Sequence, residues 1–183
     1  MNIGEVKGFF GDFRWLSNFW LAEVVYDGAS YPCTEAAYQA AKTTDLNLRQ
    51  QFQVGSGVTG RKAKVLGYKL LLRSDWEDVK LQVMYDVCWD KFTRHEDLRE
   101  LLLMTGDAHL EEMNTWGDTF WGVCDGVGEN HLGRILMRIR EGLRDIDYVR
   151  DNLTDAIEIP EEYKNTSSST GSRGRFVLHR REP

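Results

Sequence analysis

Asn18 has a setting that suggests a binding role, because it stands among the aromatic residues Trp15, Phe19 and Trp20. An asparagine amide in such a setting can form paired hydrogen bonds with a base or ribose edge while its aromatic neighbours build a pocket wall. The alternative is a buried turn in which the amide binds its own backbone. The sequence alone leaves both interpretations open.

Glu35 is a second candidate, a carboxylate that follows Pro32 by three residues and enters a helix-forming run. In the first helical turn a carboxylate is stabilised by the helix dipole. The position alone therefore favours a structural role over a catalytic one, in which the same group would act as a general acid or base.

The segment from Asn114 to Gly133 is the third candidate, because it concentrates Trp, Gly, Asp and Asn just before an amphipathic helical pattern. This composition makes poor core material and is typical of a binding loop that ends at a helix N-terminus. Its glycines Gly122, Gly126 and Gly128 lack the strand–helix context of a dinucleotide-binding motif and are better interpreted as a turn.

The sequence lacks the residue spacings that metal sites, nucleotide-binding loops and serine nucleophiles require. The cysteines Cys33, Cys88 and Cys124 form no C-x-x-C pair, and the four histidines form no H-x-x-x-H pair. The sequence contains no Walker loop, nucleophile elbow or dinucleotide fingerprint. We therefore predict a site that uses neither a metal nor a cofactor.

Length and composition indicate one globular domain. The chain has 183 residues, 42% of them hydrophobic, and a formal net charge of −6. This balance argues against a broad basic face for duplex DNA but allows a small phosphorylated ligand. Because we find no signal-like or membrane-spanning stretch and an odd number of cysteines, we expect a cytoplasmic protein with no membrane partner.

The elements that would position the three candidates begin with a hairpin. The Asp27-Gly28 pair predicts this hairpin over residues 24–31. Thr34 is predicted as the N-cap of the helix that carries Glu35, and Gly67 as the C-cap of the next helix.

Helices dominate the rest of the pattern. A long helix is predicted after Ser74 or Asp75, a second over residues 95–104, and an amphipathic one over residues 132–143. The expected fold class is α+β: a predominantly α-helical single domain with a small N-terminal antiparallel β element.

The C-terminal end differs from the body in composition. Residues 161–183 are rich in Ser and Thr, show no apolar periodicity and end in a basic stretch. We predict a domain over residues 1–150 and a flexible, basic-ended tail over residues 151–183. The basic end could contact nucleic acid, but a solvated tail is the favoured interpretation.

The chain resembles a known family, the NADAR domain family, also called YbiA-like. The motifs that carry the resemblance run in order through residues 9–144, among them Phe9-x-Gly11, Leu16-Ser17-Asn18-Phe19, Pro32-x-x-Glu35-x-x-Tyr38-Gln39, Ala63-Lys64-x-x-Gly67, Asp75-Trp76, Asn114-Thr115-Trp116-Gly117-Asp118, Trp121-Gly122 and Asn130-x-Leu132-Gly133. One position departs from the family pattern, since Ala36 stands where the family usually carries His. A proton-transfer role of that His would be missing here, whereas a packing role would change little.

The resemblance implies an N-glycosidase, a hydrolase that cleaves the bond between ribose C1 and a nitrogen. Family substrates are ribosylated intermediates of riboflavin biosynthesis and ADP-ribosyl adducts on guanine, so the expected partner is a small phosphorylated ribosyl or ADP-ribosyl compound or an ADP-ribosylated nucleic acid. Cleavage through an oxocarbenium-like ribose needs a carboxylate near C1 and stabilisation of the leaving nitrogen.

The resemblance also implies roles for individual residues. Glu35 would activate water or stabilise positive charge, and Asp118 would orient water or ribose hydroxyls. Lys64 would contact phosphate or, less favourably, form a Schiff base with opened ribose. The predicted substrate-binding set is Asn18, Phe19, Lys64, Trp76, Trp121, Gly122, Asn130 and Gly133, with Trp76 and Trp121 as stacking faces for the leaving heterocycle.

A module that binds ADP-ribose or NAD without cleaving it is the alternative function. Such a module would need the aromatic pocket and the asparagines but no carboxylate at C1, so Glu35 distinguishes the two.

Overall fold

The computed structural model describes residues 4–154 of the chain, with side-chain burial through residue 152. Contacts divide the chain into one compact unit, Met1–Asp147, and a second, Tyr148–Pro183. The predicted tail lies outside the described residues from residue 155 onward. Within residues 4–154, no helix has the length and apolar character needed to cross a membrane.

Helices form most of the regular structure, and the strands are short. In chain order the elements are β1 (Glu5–Lys7), a 3-10 helix (Gly11–Leu16), β2 (Val24–Tyr26), β3 (Ala29–Tyr31), α1 (Thr34–Ala40), α2 (Leu46–Gln50), α3 (Gly60–Gly67), α4 (Trp76–Arg94), α5 (Glu96–Met104), β4 (His109–Glu111), β5 (Met113–Asn114), β6 (Val123–Cys124) and α6 (His131–Thr154). The predicted α+β class, mainly helical, is confirmed.

The predicted hairpin is present as the antiparallel pair β2–β3, with Val24 opposite Tyr31. Both turn residues have positive φ, 50° at Asp27 and 77° at Gly28, as a two-residue turn that matches the strand twist requires. The backbone N–H of Val25 donates to Asp90 Oδ2 at 2.7 Å, which ties the hairpin to α4.

Two further strand pairs were not predicted, and both are parallel. β1 pairs with β4, where Val6 lies opposite Leu110, and β5 pairs with β6, where Asn114 lies opposite Cys124. Strands of two or three residues are too short to show the alternation by which a strand is recognised in a sequence. Among residues 4–154, the N-terminal hairpin is therefore one of three small two-stranded sheets.

The core is built around α1, in which all seven residues are buried. Its alanines, Ala36, Ala37 and Ala40, are completely inaccessible, and α1 contacts both α3 and α4. Small side chains let the neighbouring helices approach closely, so the core fixes α1 and therefore any polar group that α1 carries.

The predicted helix ends are corrected in two places. Cys33, not Thr34, is the N-cap of α1, and Thr34 is the first helical residue. Gly67 lies inside α3, whose C-cap is Tyr68. A Cβ on Gly67 would come within 1.8 Å of Gln39 Oε1, so this glycine serves the packing of α3 on α1 rather than a helix end.

Candidate active site

One cavity of about 260 Å³ collects most of the charged candidates. One side is the helical wall, formed by Glu35, Tyr38 and Gln39 of α1, by Lys42 just after α1, and by Lys64 of α3. The other side is the loop wall, formed by residues 112–121. The lining residues are Ser17, Asn18, Phe19, Glu35, Tyr38, Gln39, Lys42, Lys64, Tyr68, Met84, Glu112, Trp116, Asp118, Trp121 and Leu132.

Glu35 faces the cavity from the helical wall and is only 6% exposed. Gln39, one turn later, donates from Nε2 to Glu35 Oε1 at 2.8 Å, the spacing at which helical side chains meet. Burial raises the pKa of the Glu35 carboxyl, while the Gln39 hydrogen bond and the charges of Lys64 and Lys42 act in the opposite direction. The predicted candidate thus stands in a pocket with amide and ammonium partners.

Two amines share the cavity with this carboxyl. Burial lowers the pKa of Lys42, and the charge of Glu35 opposes that effect. Lys42 Nζ lies 5.7 Å from the ring centre of Tyr38, and Lys64 Nζ lies 5.9 Å from that of Phe19. Ammonium groups held over aromatic rings beside carboxyls give the cavity both signs of charge, and the ammonium groups can bind an anion.

Glu112 is a candidate that the sequence analysis missed. It stands between β4 and β5 on the loop wall, and its Oε2 is buried without a hydrogen-bond partner in the described part of the chain. Burial, and after it the charge of Asp118, raise the pKa of the Glu112 carboxyl to about 7, with Lys64 opposing. A carboxyl that titrates near neutrality can carry a proton and transfer it to a substrate.

Asp118 lines the cavity as predicted, but its carboxylate also organises the loop. Asp118 Oδ1 accepts hydrogen bonds from the backbone N–H groups of Phe120 at 3.2 Å and Trp121 at 2.9 Å. Its charge raises the pKa of both Glu35 and Glu112. Asp118 therefore adds negative charge near both glutamates and holds Trp121 in the wall.

Asn18 lies in the cavity wall, and its side chain contacts sulfur atoms rather than its own backbone. Its Nδ2 donates to Met84 Sδ at 3.4 Å, and Cys88 Sγ donates to its Oδ1 at 3.7 Å. Its carbonyl oxygen accepts the N–H of Glu35 at 3.0 Å. These are weak side-chain partners, which leaves the amide available to a ligand.

A buried cation fixes the segment that carries Asn18. Lys91 is 1% exposed, and its Nζ donates to the carbonyl oxygens of Trp15 at 2.6 Å and Ser17 at 3.0 Å. Burial lowers the pKa of Lys91 to about 8. Because the segment in turn receives the Glu35 N–H, Lys91 contributes indirectly to the placement of Glu35.

Three predicted ligand contacts, Gly122, Asn130 and Gly133, do not line the cavity. Asn130 donates from Nδ2 to the Leu110 carbonyl at 2.9 Å and accepts the Glu112 N–H on Oδ1 at 3.0 Å. A Cβ on Gly122 would lie 2.1 Å from the Glu112 carbonyl oxygen, and one on Gly133 would lie 2.1 Å from that of Leu110. In this structure these residues let the loop pack on β4 and so position Glu112.

The tryptophans near the site differ in their position relative to the cavity. Trp121 lines the cavity, its ring centre 5.4 Å from that of Tyr38 in an edge-on contact. Trp76 is 5% exposed and does not line the cavity; it packs under Tyr38 with the ring centres 5.1 Å apart and supports that ring from below. Trp116, by contrast, lines the cavity with 64% of its surface exposed.

Ala36, the departure from the family pattern, is buried in the core and does not line the cavity.

Comparison with known proteins places the chain among relatives of one family. Residues 8–144 match the model of the NADAR domain. The chain is 38% identical over 144 residues to N-glycosidase YbiA of Escherichia coli K12, an alignment that covers 78% of this chain and 88% of that protein. It is 33% identical over 150 residues to a riboflavin biosynthesis protein of Vibrio vulnificus, of which it spans only 41%. The NMR structure of Escherichia coli YbiA superimposes with a TM-score of 0.72 at 33% identity, covering 81% of this chain and 89% of that one.

Proposed function

The chain belongs to the NADAR domain family, and from that premise we propose that it hydrolyses the bond between ribose C1 and a nitrogen in a phosphorylated ribosyl or ADP-ribosyl substrate. Its assignment as a hydrolase of N-glycosyl bonds rests on the relatives named N-glycosidase, whose length it largely covers. The substrate class rests on the site and on the family resemblance.

The observation that carries the proposal is the convergence of Glu35, Glu112 and Asp118 on one cavity that also holds Lys42 and Lys64. Cleavage of an N-glycoside puts positive charge on the ribose ring and negative charge on the departing nitrogen. Carboxylates can stabilise the first charge, and a protonated acid can neutralise the second. A module that only binds the ligand would have no need of this set.

The two glutamates that line the cavity suit different roles. Glu35, with a hydrogen-bond donor and two ammonium groups near it, is placed to stay anionic beside C1, where it stabilises the sugar cation or activates water. Glu112, with a pKa raised to about 7 and one unpartnered oxygen, is placed to donate the proton that the leaving nitrogen takes. Two acids whose environments differ in this way form an acid–base pair.

The remaining lining residues suit the rest of the substrate. Lys42 and Lys64 offer ammonium groups to a phosphate. Trp121 offers an aromatic face to the leaving heterocycle, and the Asn18 amide can bind its edge or the ribose hydroxyls.

The test is a paired incubation of the full chain with single-stranded DNA that carries ADP-ribosylated guanine and, separately, with a ribosylated intermediate of the riboflavin pathway. Mass spectrometry follows the freed base or amine and the matching sugar product. Release from one of the two identifies the substrate. Binding without release from either would replace this proposal by a non-catalytic binding module, and neither binding nor release would reject both.

A further inference from the structure

One face of α4 grips the turn formed by residues 15–18. Met84, Cys88 and Lys91 follow one another at helical spacing, which places them in a row along the helix. The two sulfur atoms bond to the side-chain amide of Asn18, and Lys91 Nζ donates to two backbone carbonyl oxygens of the turn. The row therefore holds both the backbone of the turn and its polar side chain.

Lys91 is the charged member of this row, and no acid balances its charge. Within residues 4–152 no carboxylate comes within ion-pair distance of its Nζ. The titratable groups that act on it are the thiols of Cys88 and Cys33. Burial raises the pKa of both thiols, that of Cys88 to about 12, so they stay neutral near pH 7. The charge of Lys91 is therefore directed at the carbonyl oxygens of the turn.

Stability alone does not account for a buried ammonium group at this position. Removing a charge from water is costly, and an apolar side chain of similar volume often gives a fold that is at least as stable. An ammonium group, unlike an apolar side chain, fixes the oxygen atoms that it bonds, here at 2.6 Å for Trp15 and 3.0 Å for Ser17. A requirement for accurate placement of the turn accounts for Lys91 better than a requirement for stability does.

The turn passes this placement on to α1. The carbonyl oxygen of Asn18 accepts the N–H of Glu35 at 3.0 Å, and the first N–H groups of a helix have no partner within the helix itself. The N-cap Cys33 supplies no side-chain hydrogen bond, so the turn caps α1 from outside. A shift of the turn would therefore move the residue whose carboxyl faces the cavity, and a displacement of about 1 Å can cost a hundredfold in rate.

We propose that Lys91 is a positioning residue of the hydrolysis, which fixes the turn of residues 15–18 and thereby sets where the Glu35 carboxyl stands relative to ribose C1. Lys91 does not line the cavity, so it acts through Glu35 and not on the substrate. The inference rests on the proposed function, and it makes turnover depend on a side chain of α4 that lies behind the site.

A double-mutant cycle in the full chain tests the proposal. It compares the wild type, Lys91→Met, Glu35→Gln and the combination on whichever of the two family substrates the wild type cleaves. Thermal unfolding selects a temperature at which every variant is folded. Lys91→Met should lower kcat at least about thirtyfold when Glu35 is present and at most about threefold in the Glu35→Gln background, because residues that act as a unit are not additive.

Two further variants separate position from stability. Leu102→Ala is the control, since it empties a buried site on α5 that does not line the cavity. It should lower the unfolding temperature but change kcat by less than about twofold in either background. Lys91→Gln keeps an amide that can donate to one carbonyl oxygen, so its loss should be intermediate. It takes the place of Lys91→Met in the cycle if the latter does not fold.

Several outcomes would overturn the proposal while the proposed function stands. Equal losses from Lys91→Met in the two backgrounds would show that Lys91 acts independently of Glu35. An unchanged kcat, or an equal loss in Leu102→Ala, would remove the positioning role. Failure of both Lys91 variants to fold would make this residue a determinant of stability instead. If the wild-type chain cleaved neither family substrate, the proposed function itself would be wrong.

Discussion

The helical wall and the loop wall of the cavity each carry a glutamate that lines the cavity, and they hold it in different ways. Glu35 is placed by regular helix geometry, with a partner four residues away on the same helix and ammonium groups nearby. Glu112 is placed through its backbone N–H, which donates to the side-chain Oδ1 of Asn130, a residue 18 positions later, and its Oε2 lacks a hydrogen-bond partner in the described residues. The helical wall is built by local contacts and gives its carboxylate a hydrogen-bond donor. The loop wall is built by long-range packing and leaves one carboxylate oxygen without a donor in the described residues.

The difference separates the protonation behaviour of the two acids. Burial raises the pKa of both carboxyls, but Glu35 has a hydrogen-bond donor and two lysines that favour its charged form, while only Lys64 does so for Glu112. A buried polar atom without a partner is costly, and such a cost is expected where a group must remain free to react. The helical wall therefore supplies fixed charge, and the loop wall supplies a transferable proton.

Glu35→Gln should produce the largest effect. The amide keeps the shape of the side chain and can still accept the Gln39 hydrogen bond, so the fold and the affinity for ligand should be retained. Turnover should fall by about two or more orders of magnitude, as it does when a positioned charged group is lost. Single-turnover kinetics measure the change, and Glu111→Gln, which does not touch the cavity, is the control. Turnover near that of the wild type would remove Glu35 from the chemistry.

Glu112→Gln should have a smaller and pH-dependent effect. A carboxyl with a pKa of about 7 is protonated below that pH, so wild-type kcat/KM should fall as pH rises through 7 if Glu112 donates the proton. The variant should lose about ten- to a hundredfold at pH 6 and less at pH 8, with the alkaline limb abolished. An unchanged limb would assign that titration to another group and would break the division between the two walls.

The same titration predicts a change in stability. The pKa of Glu112 is higher in the folded chain than its usual 4.5, so the native state binds the proton more tightly than the unfolded state does. Its contribution to stability is therefore present below about pH 4.5 and is lost as pH rises to about 7. Thermal unfolding of Glu112→Gln should show a flatter pH dependence over this range than that of Glu111→Gln.

The helical wall could be predicted from the sequence, and the loop wall could be predicted only in part. The helix that carries Glu35 follows from local residue preferences, and the family motif marked Glu35 and Lys64. Glu112 follows Glu111 in what looks like ordinary surface charge, and its burial depends on strand pairs of two residues and on Asn130. No local pattern carries that information, because it arises from contacts between distant segments.

Tryptophan and glycine show the same limit. The sequence analysis assigns the same stacking role to Trp76 and Trp121, yet Trp76 is buried and Trp121 forms the wall. Gly67 has the sequence context of a helix end, but it is required by Gln39, from another helix. Local sequence preference indicates where a helix can end, whereas tertiary packing decides whether a glycine or a tryptophan lies in the core, in the cavity wall or on the surface.

Trp121→Ala tests whether the loop wall contacts the ligand. Loss of one stacking face should weaken ADP-ribose binding by roughly 1–3 kcal/mol, measured by calorimetric titration. Trp76→Ala is the contrasting variant, since it empties a core site and should cost about 3–5 kcal/mol in unfolding free energy. Trp121→Ala should cost less stability than Trp76→Ala. If Trp121→Ala unfolds the protein while the remaining folded fraction binds normally, Trp121 belongs to the core and the wall is misplaced.

Removal of divalent metals should leave turnover unchanged. Within the described chain, the group of side chains that could jointly ligate a metal is Glu5, His109 and Glu111, and none of these lines the cavity. In the cavity the carboxyls face Lys42 and Lys64, whose ammonium groups supply the positive charge that a metal would otherwise provide. Turnover measured after dialysis against a chelator should equal that of the untreated chain. Activity that disappears on chelation and returns with Zn²⁺ or Mg²⁺ would show that a metal, rather than the lysines, balances the two glutamates.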